Sequence, residues 1–126
     1  MARTSRDVTE AELAILQALW DGGPSTIRRL TELIYGEVGA SSYSTVQKLL
    51  DRLEAKGCVS RNRNDGVHLF AATLRRDELI ARRLRDVADT LCGGSLTPLL
   101  THLVRSERLS EEERATLRDL IERVGR

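Results

Sequence analysis

The sequence predicts a mainly α protein with one small β-hairpin, arranged as a helical unit carrying the hairpin as a wing (1–75) and a C-terminal helical region (76–126). Three observations predict it. Apolar side chains recur at helical spacing in three successive segments before Gly57. The period then drops to two on either side of Asn64-Asp65-Gly66, and from Asp77 the helical period returns.

The first helix is announced by Thr9-Glu10-Ala11-Glu12, the form of a capping box, in which the threonine hydroxyl accepts from the third helical amide and the glutamate reaches back to the cap. Leu13, Leu16, Leu19 and Trp20, supported by Ile15, fall on one face, and Gly22-Gly23-Pro24 ends the helix. Ser25 or Thr26 caps the second, whose expected buried face is Ile27, Leu30, Leu33 and Ile34, and Gly36 and Gly39 loosen the chain after it. The third is expected to be capped by Ser42, with Val46, Leu49, Leu50 and Leu53 inward and Lys56-Gly57 at its C-terminus, where a cation suits the helix dipole and a glycine tolerates the left-handed turn. Cys58–Arg63 and Val67–Ala71 read as two strands joined by turn chemistry that accepts positive φ. Three helices followed by such a hairpin make a winged helix-turn-helix.

The C-terminal region should hold three further apolar stripes. They are Leu79, Ile80, Leu84, Val87 and Leu91; then, after Gly93-Gly94, Leu96, Leu99, Leu100, Leu103 and Val104; then, behind the capping box Ser110–Glu113, Leu117, Leu120, Ile121 and Val124. A segment of this size buries too little surface to close a core alone. A second copy of the chain is the simplest cover, through Leu84, Val87, Leu91, Leu96, Leu99, Leu100, Leu103, Leu117, Leu120 and Ile121.

Composition narrows the function classes. The chain of 126 residues is 40% hydrophobic and 31% charged, which suits a folded domain, and no apolar run approaches the ~18 residues of a membrane-spanning helix. The polar start Met1–Asp7 has no apolar signal core, so the expected compartment is the cytoplasm. Cys58 and Cys92 stand alone, outside any CxxC context, and are expected to be small buried hydrophobes. His68 and His102 are isolated from any nucleophile or carboxylate at triad or ligand spacing, and the glycine pairs lead into proline or leucine where a phosphate-cradling loop needs a helix start. The reading is therefore of a non-enzyme with no catalytic residues, metal or cofactor.

Formal net charge is only +1, but it is unevenly spread. Residues 7–37 carry two arginines against six acids, whereas Lys48, Arg52, Lys56, Arg61 and Arg63 face only Asp51 and Glu54 between 41 and 63. A polyanion would meet the second stretch; a solvated face is the bland reading of the same charges. The third helix favours the polyanion. With its apolar residues inward, Ser44, Thr45, Gln47, Lys48, Asp51 and Arg52 point outward, the arrangement a major-groove reader needs. Gln47 can pair bidentately with adenine and the Thr45 methyl can meet a thymine methyl, while Ser42 and Tyr43 sit where a helix N-terminus meets phosphate. Arg52 has two uses open to it, phosphate or an internal pair with Asp51, Glu54 or another helix of the same unit. Arg61, Asn62, Arg63 and Asn64 at the hairpin could lie along the DNA backbone, reach the minor groove or form a charge-protected edge.

These residues also resemble a known family. Thr9–Leu16 leading to Leu19-Trp20, and Ser42 through Gly57 with its LLxRLxxKG pattern, look like the penicillinase repressors of BlaI and MecI type, with the copper-responsive CopY branch as a relative; the likeness continues through Arg76–Leu79, Gly94–Leu96 and Leu109–Glu113. The resemblance implies a cytoplasmic homodimeric repressor that binds a palindromic double-stranded DNA operator with its winged helices and dimerises through its C-terminal helices. It places the reading helix at Ser42 through Arg52, with Ser44, Thr45 and Gln47 at base-contacting places, and puts Arg61 and Arg63 in the wing. The sequence departs from the family pattern at Ser41, where many members carry tryptophan, and at Ser44 and Gln47, which are basic in some members. The copper branch's paired C-terminal cysteines are missing. Antibiotic-responsive members lose their grip on DNA when a membrane-bound sensor protease leads to cleavage at an Asn-Phe bond; the aligned pair here is His102-Leu103, and the segment from Gly93 to Val104 is where such a cut is expected. The competing reading is a protein-interaction module on a winged-helix scaffold that no longer binds DNA.

Overall fold

A computed structural model describes residues 7–105 and 109–124. The elements run α1 (Glu10–Gly22), α2 (Ile27–Tyr35), α3 (Ala40–Ala55), β1 (Val59–Asn64), β2 (Val67–Ala72), α4 (Arg76–Leu91), α5 (Thr97–Arg105) and α6 (Glu111–Val124). Two compact units divide the chain, Met1–Leu79 and Ile80–Arg126. The sequence-expected polar tail at 1–6 lies outside the described residues, as does the side chain of Val124. No described helix is long and apolar enough to cross a membrane.

In the first unit α1 starts with the capping box that the sequence spells: the Glu12 amide donates to Thr9 Oγ1 at 3.2 Å and the Thr9 amide to Glu12 Oε1 at 3.0 Å. Val8, one residue before the cap, is buried, and Ile15, Leu16 and Leu19 carry the face of α1 into the core. Thr26, not Ser25, caps α2, accepting from the Arg29 amide at 3.1 Å. Ser25 does something else. It forms an isolated antiparallel bridge with Phe70, its amide donating at 2.9 Å and its carbonyl accepting at 2.8 Å, so the α1–α2 connection is stitched to the hairpin.

The helices differ from the sequence expectation at two places. Leu33 is 53% exposed, and Thr31 takes the inward place, fully buried, with its hydroxyl donating to the Ile27 carbonyl at 2.7 Å. The face centred on Ile27, Leu30 and Ile34 passes through Thr31 at 100° per residue and leaves Leu33 on the flank. The third helix begins earlier than expected. Gly39, extended at φ −117°, is the cap residue, and Ser42 lies inside the first turn, its Oγ accepting from the Gly39 amide at 2.9 Å.

Val46, Leu50 and Leu53 of α3 are fully buried and Leu49 nearly so, and they meet Leu30, Phe70 and the α1 residues in one core. After α3, Gly57 adopts φ 76°, and the chain enters β1 with Cys58 and Val59 buried. The strands pair from Val59↔Ala72 to Asn64↔Val67, one residue longer at the tip than expected, so the loop is Asp65-Gly66 alone. Both loop residues have positive φ, 51° and 82°, the requirement of the hairpin turn whose twist matches its strands. Leu74 and Leu79 close the core. The burial of Leu79 draws the first turn of α4 into this unit, four residues past the expected boundary at Arg75.

The second unit has a different character. Among its described residues Ala88 is the one buried side chain, and Leu99 and Leu117 are half-buried. Ile80, Leu84, Val87, Leu91, Leu96, Leu100, Leu103, Val104, Leu120 and Ile121 are all exposed.

Candidate nucleic-acid interface

The outward face of α3 follows from its inward one. Because Val46, Leu49, Leu50 and Leu53 are held by the core, Tyr43, Ser44, Thr45, Gln47, Lys48, Asp51 and Arg52 are turned to solvent. Ser42 is half-buried, its hydroxyl occupied in the first turn by Gly39 as donor to the carbonyl at 3.1 Å and acceptor from the amide. The Thr45 hydroxyl donates to the Ser41 carbonyl at 3.0 Å, which fixes its rotamer and leaves the methyl and an oxygen lone pair available. Gln47 and Lys48 are exposed, and no ion pair of the described residues engages Lys48, Arg52 or Arg63. These three cations, all exposed, are what the positive stretch presents to a partner.

The other two cations of that stretch are spent inside the unit. Lys56 Nζ lies 2.6 Å from Glu12 Oε1 and donates to the Asp7 carbonyl at 2.7 Å, tying the C-terminal end of α3 to the entry of α1. Burial pushes the Glu12 carboxyl up, but the bonds from Lys56 and from the Thr9 amide outweigh it and hold the group below the usual carboxylate range. Glu12 Oε2 is buried with no hydrogen-bond partner. The pair is not legible in the sequence, where the cap accounts for Glu12 and its partner lies 44 residues away.

The sequence leaves Arg61 the DNA backbone, the minor groove or a charge-protected edge, and the structure turns its guanidinium toward α3. Its Nε and Nη2 meet both oxygens of Glu54 at 3.0 and 2.8 Å, Nη2 also donates to Asp51 Oδ1 at 3.0 Å, and Nη1 lies 3.3 Å from His68 Nδ1. The guanidinium carbon stands 4.8 Å from the centre of the Phe70 ring, a cation over an aromatic face. The Arg61 bond holds the Glu54 carboxyl below its usual range, and Glu54, then Asp51, hold the arginine above its own. A signal for this was present. Alternation along β1 puts Arg61 on the face of buried Val59, opposite Phe70 in the register, and hence toward the core side of the hairpin. Arg63 shares that parity but lies nearer the tip, where it is exposed together with Asn62 and Asn64. It is Arg61, and not Arg52, that takes Asp51 and Glu54.

Cys58 is buried in the core, as expected, whereas Cys92 is only half-buried. His102 is exposed on α5. Trp20 is held by its indole N–H donating to the Leu74 carbonyl at 2.8 Å and by Arg76 stacked 5.2 Å from its ring, with Arg76 also paired to Asp21 at 3.0 Å.

Comparison with known proteins matches residues 8–123 to the family model described as Penicillinase repressor. A penicillinase repressor of Staphylococcus aureus is 21% identical over 128 residues, covering 100% of this chain and 99% of that protein. The transcriptional regulator BlaI of Mycobacterium tuberculosis is 33% identical over 120 residues, 94% of this chain and 84% of its own length. Among solved structures, a MarR family protein from Bacillus stearothermophilus superposes on 94% of this chain and 73% of its own at TM-score 0.48 and 23% identity.

Proposed function

Because the chain belongs to the penicillinase-repressor family, we propose that it is a transcriptional repressor that binds a palindromic double-stranded DNA operator as a homodimer, one winged unit to each half-site. The observation that carries the DNA reading is the exposed row Ser44, Thr45, Gln47 and Lys48 near the N-terminal end of a helix whose opposite face is locked into the core. In this reading Ser44, Thr45, Gln47 and Lys48 meet base edges, and Ser42, Tyr43, Arg52 and Arg63 contact the backbone. A gel-shift series with the region upstream of the chain's own gene, repeated at rising salt, tests it; no shift at any salt would leave the protein-interaction reading in its place.

Helix and wing should separate in such a series. Gln47→Ala or Thr45→Ala is expected to change operator preference at a cost of ~1–3 kcal/mol per lost base contact. Arg63→Ala is expected to weaken operator and unrelated DNA alike and to reduce the slope of log affinity against log salt by about one. The reverse pattern, with a changed slope for Gln47→Ala and changed preference for Arg63→Ala, would exchange the two assignments.

The dimer is assigned to the exposed leucines of the second unit, and release from DNA is assigned to their loss. A protease signal would act between Gly93 and Val104, where both glycines of the pair have positive φ and α5 presents Leu100 and Leu103. Mass spectrometry of the protein recovered from its host before and after a cell-wall-active antibiotic should then show a cut in that span. Intact chain alongside derepressed genes would rule proteolysis out.

A further inference from the structure

We infer that Arg61 is a positioning residue for DNA recognition, one that acts through Asp51 and Glu54 by fixing the wing on the reading helix and compensating two carboxylates that would otherwise face the DNA unpaired. The inference rests on the DNA-binding reading above.

Asp51 follows Gln47 by four residues, so it lies one turn along the same outward stripe that holds the proposed base-reading side chains. Its side chain is 59% exposed and that of Glu54 is 38% exposed. Left bare, two carboxylates on this stripe would oppose the approach of a phosphate backbone. Arg61 meets both, with two bonds to Glu54 and one to Asp51, and Phe70 beneath and His68 beside its guanidinium fix where it can stand. The cluster spans the two elements that a winged helix uses against DNA. Asp51 and Glu54 belong to α3; Arg61 belongs to β1; His68 and Phe70 belong to β2. Phe70 is in turn bridged to Ser25, so the anchoring reaches the helical core. A guanidinium engaged on three nitrogens has little left for a phosphate, and the wing's backbone contact falls to Arg63.

Lysine at this position separates the two roles. A phosphate contact needs a cation, which lysine supplies, whereas a two-carboxylate fork stacked on an aromatic ring needs the planar guanidinium. The experiment measures binding of full-length protein to a duplex from its own upstream region, and to a mixed-sequence duplex at low salt, for Arg61→Lys, Arg61→Met and the same changes in an Asp51→Asn, Glu54→Gln background. Thermal unfolding is recorded for each. Arg61→Lys and Arg61→Met are both expected to lose about tenfold or more in operator affinity, measured well below their unfolding temperatures. In the background where both carboxylates are already amides, the Arg61→Met change should cost less than about threefold, because its charged partners are gone.

Three results would overturn the inference. One is retention of wild-type affinity by Arg61→Lys. Another is equal loss on Arg61→Met in both backgrounds with a salt slope lower by about one, the mark of a direct phosphate contact. The last is lower unfolding temperatures with unchanged affinity of the folded proteins, which would make Arg61 a brace for the fold alone. Wild-type protein that binds neither duplex would instead sink the DNA-binding reading itself, an outcome distinct from all three.

Discussion

Lys56→Met should cost the winged unit ~3 kcal/mol at neutral pH, at the lower end of what removing one member of a buried ion pair costs, because the lysine head is partly open to solvent. Methionine keeps the apolar stem of the lysine in place, so the loss isolates the ammonium with its bonds to Glu12 and to the Asp7 carbonyl. What remains is a Glu12 carboxylate with a side chain 1% exposed, one oxygen served by the Thr9 amide and the other by nothing. For a unit of this size ~3 kcal/mol corresponds to a fall of roughly 15 °C in unfolding temperature. The pH dependence gives a second handle. In the wild type the folded-state Glu12 pKa lies below its ordinary value, so its stabilising contribution is complete above the ordinary carboxylate range and is lost as pH falls through the folded pKa. Without Lys56, burial dominates and the same carboxyl is pushed up, so the variant binds its proton more tightly folded than unfolded and loses stability as pH rises through that range. The gap between the two proteins should therefore be widest near neutrality and narrow toward acid pH. Adding Glu12→Gln to Lys56→Met should recover part of the loss by removing the unpaired charge. A gap below ~1 kcal/mol that is flat with pH would show that water or a shifted backbone serves the carboxylate after all.

That pair also marks the boundary of what the sequence made legible. The capping box at Thr9, the left-handed Gly57 and the Asp65-Gly66 turn are all readable because their physics is local: each closes within a few residues and demands a residue type. The inward faces of α1 and α3 were readable because leucine and isoleucine at helical spacing leave one way to fold. In α2 the same rule misplaced one side chain, since it counts Leu33 as apolar and cannot see that Thr31 satisfies its own hydroxyl on the Ile27 carbonyl and so enters the core at little cost. The start of α3 was missed for a related reason. Ser42 has the chemistry of a cap, but its hydroxyl serves equally well two residues inside the helix by reaching back to Gly39.

The candidate site divides in the same way. Thr45, Gln47 and Lys48 could be placed outward because Val46, Leu49 and Leu50 had to go inward. Pairing was not legible. The cations of 41–63 look equivalent in a charge count, yet Lys56 is consumed by a residue of α1 and Arg61 by two residues of α3, leaving Lys48, Arg52 and Arg63 exposed. Strand parity pointed Arg61 toward Phe70, but only the packing of β1 beside α3 says that Asp51 and Glu54 wait there.

Full-length protein carrying Leu100→Glu and Leu120→Glu is expected to be monomeric at micromolar concentration and to bind its operator ~100-fold or more weakly. Both leucines are exposed, at 44% and 50%, so charge there should leave each folded unit intact. Their exposure is also the reason to expect a partner: ten large apolar side chains of the second unit stand open while Ala88 alone is buried among its described residues, and such a surface is costly to keep in water. Covering it with a second copy adds no new contact to DNA. It converts the second half-site from a separate binding event into a tethered one, at an effective concentration that for short linkages reaches about the millimolar range, and gains of ~10²–10⁴ follow from that alone. Four signs should appear together in the variant: a halved mass by light scattering, an unfolding temperature of the winged unit equal to that of wild type, a shallower salt dependence because each bound molecule neutralises half as many phosphates, and unchanged preference among half-site sequences, since α3 is untouched. A variant that is monomeric yet binds as tightly as wild type would show that one winged unit suffices. Wild-type protein that is itself monomeric at micromolar concentration would remove the dimer from the proposed function and leave those leucines to a different partner.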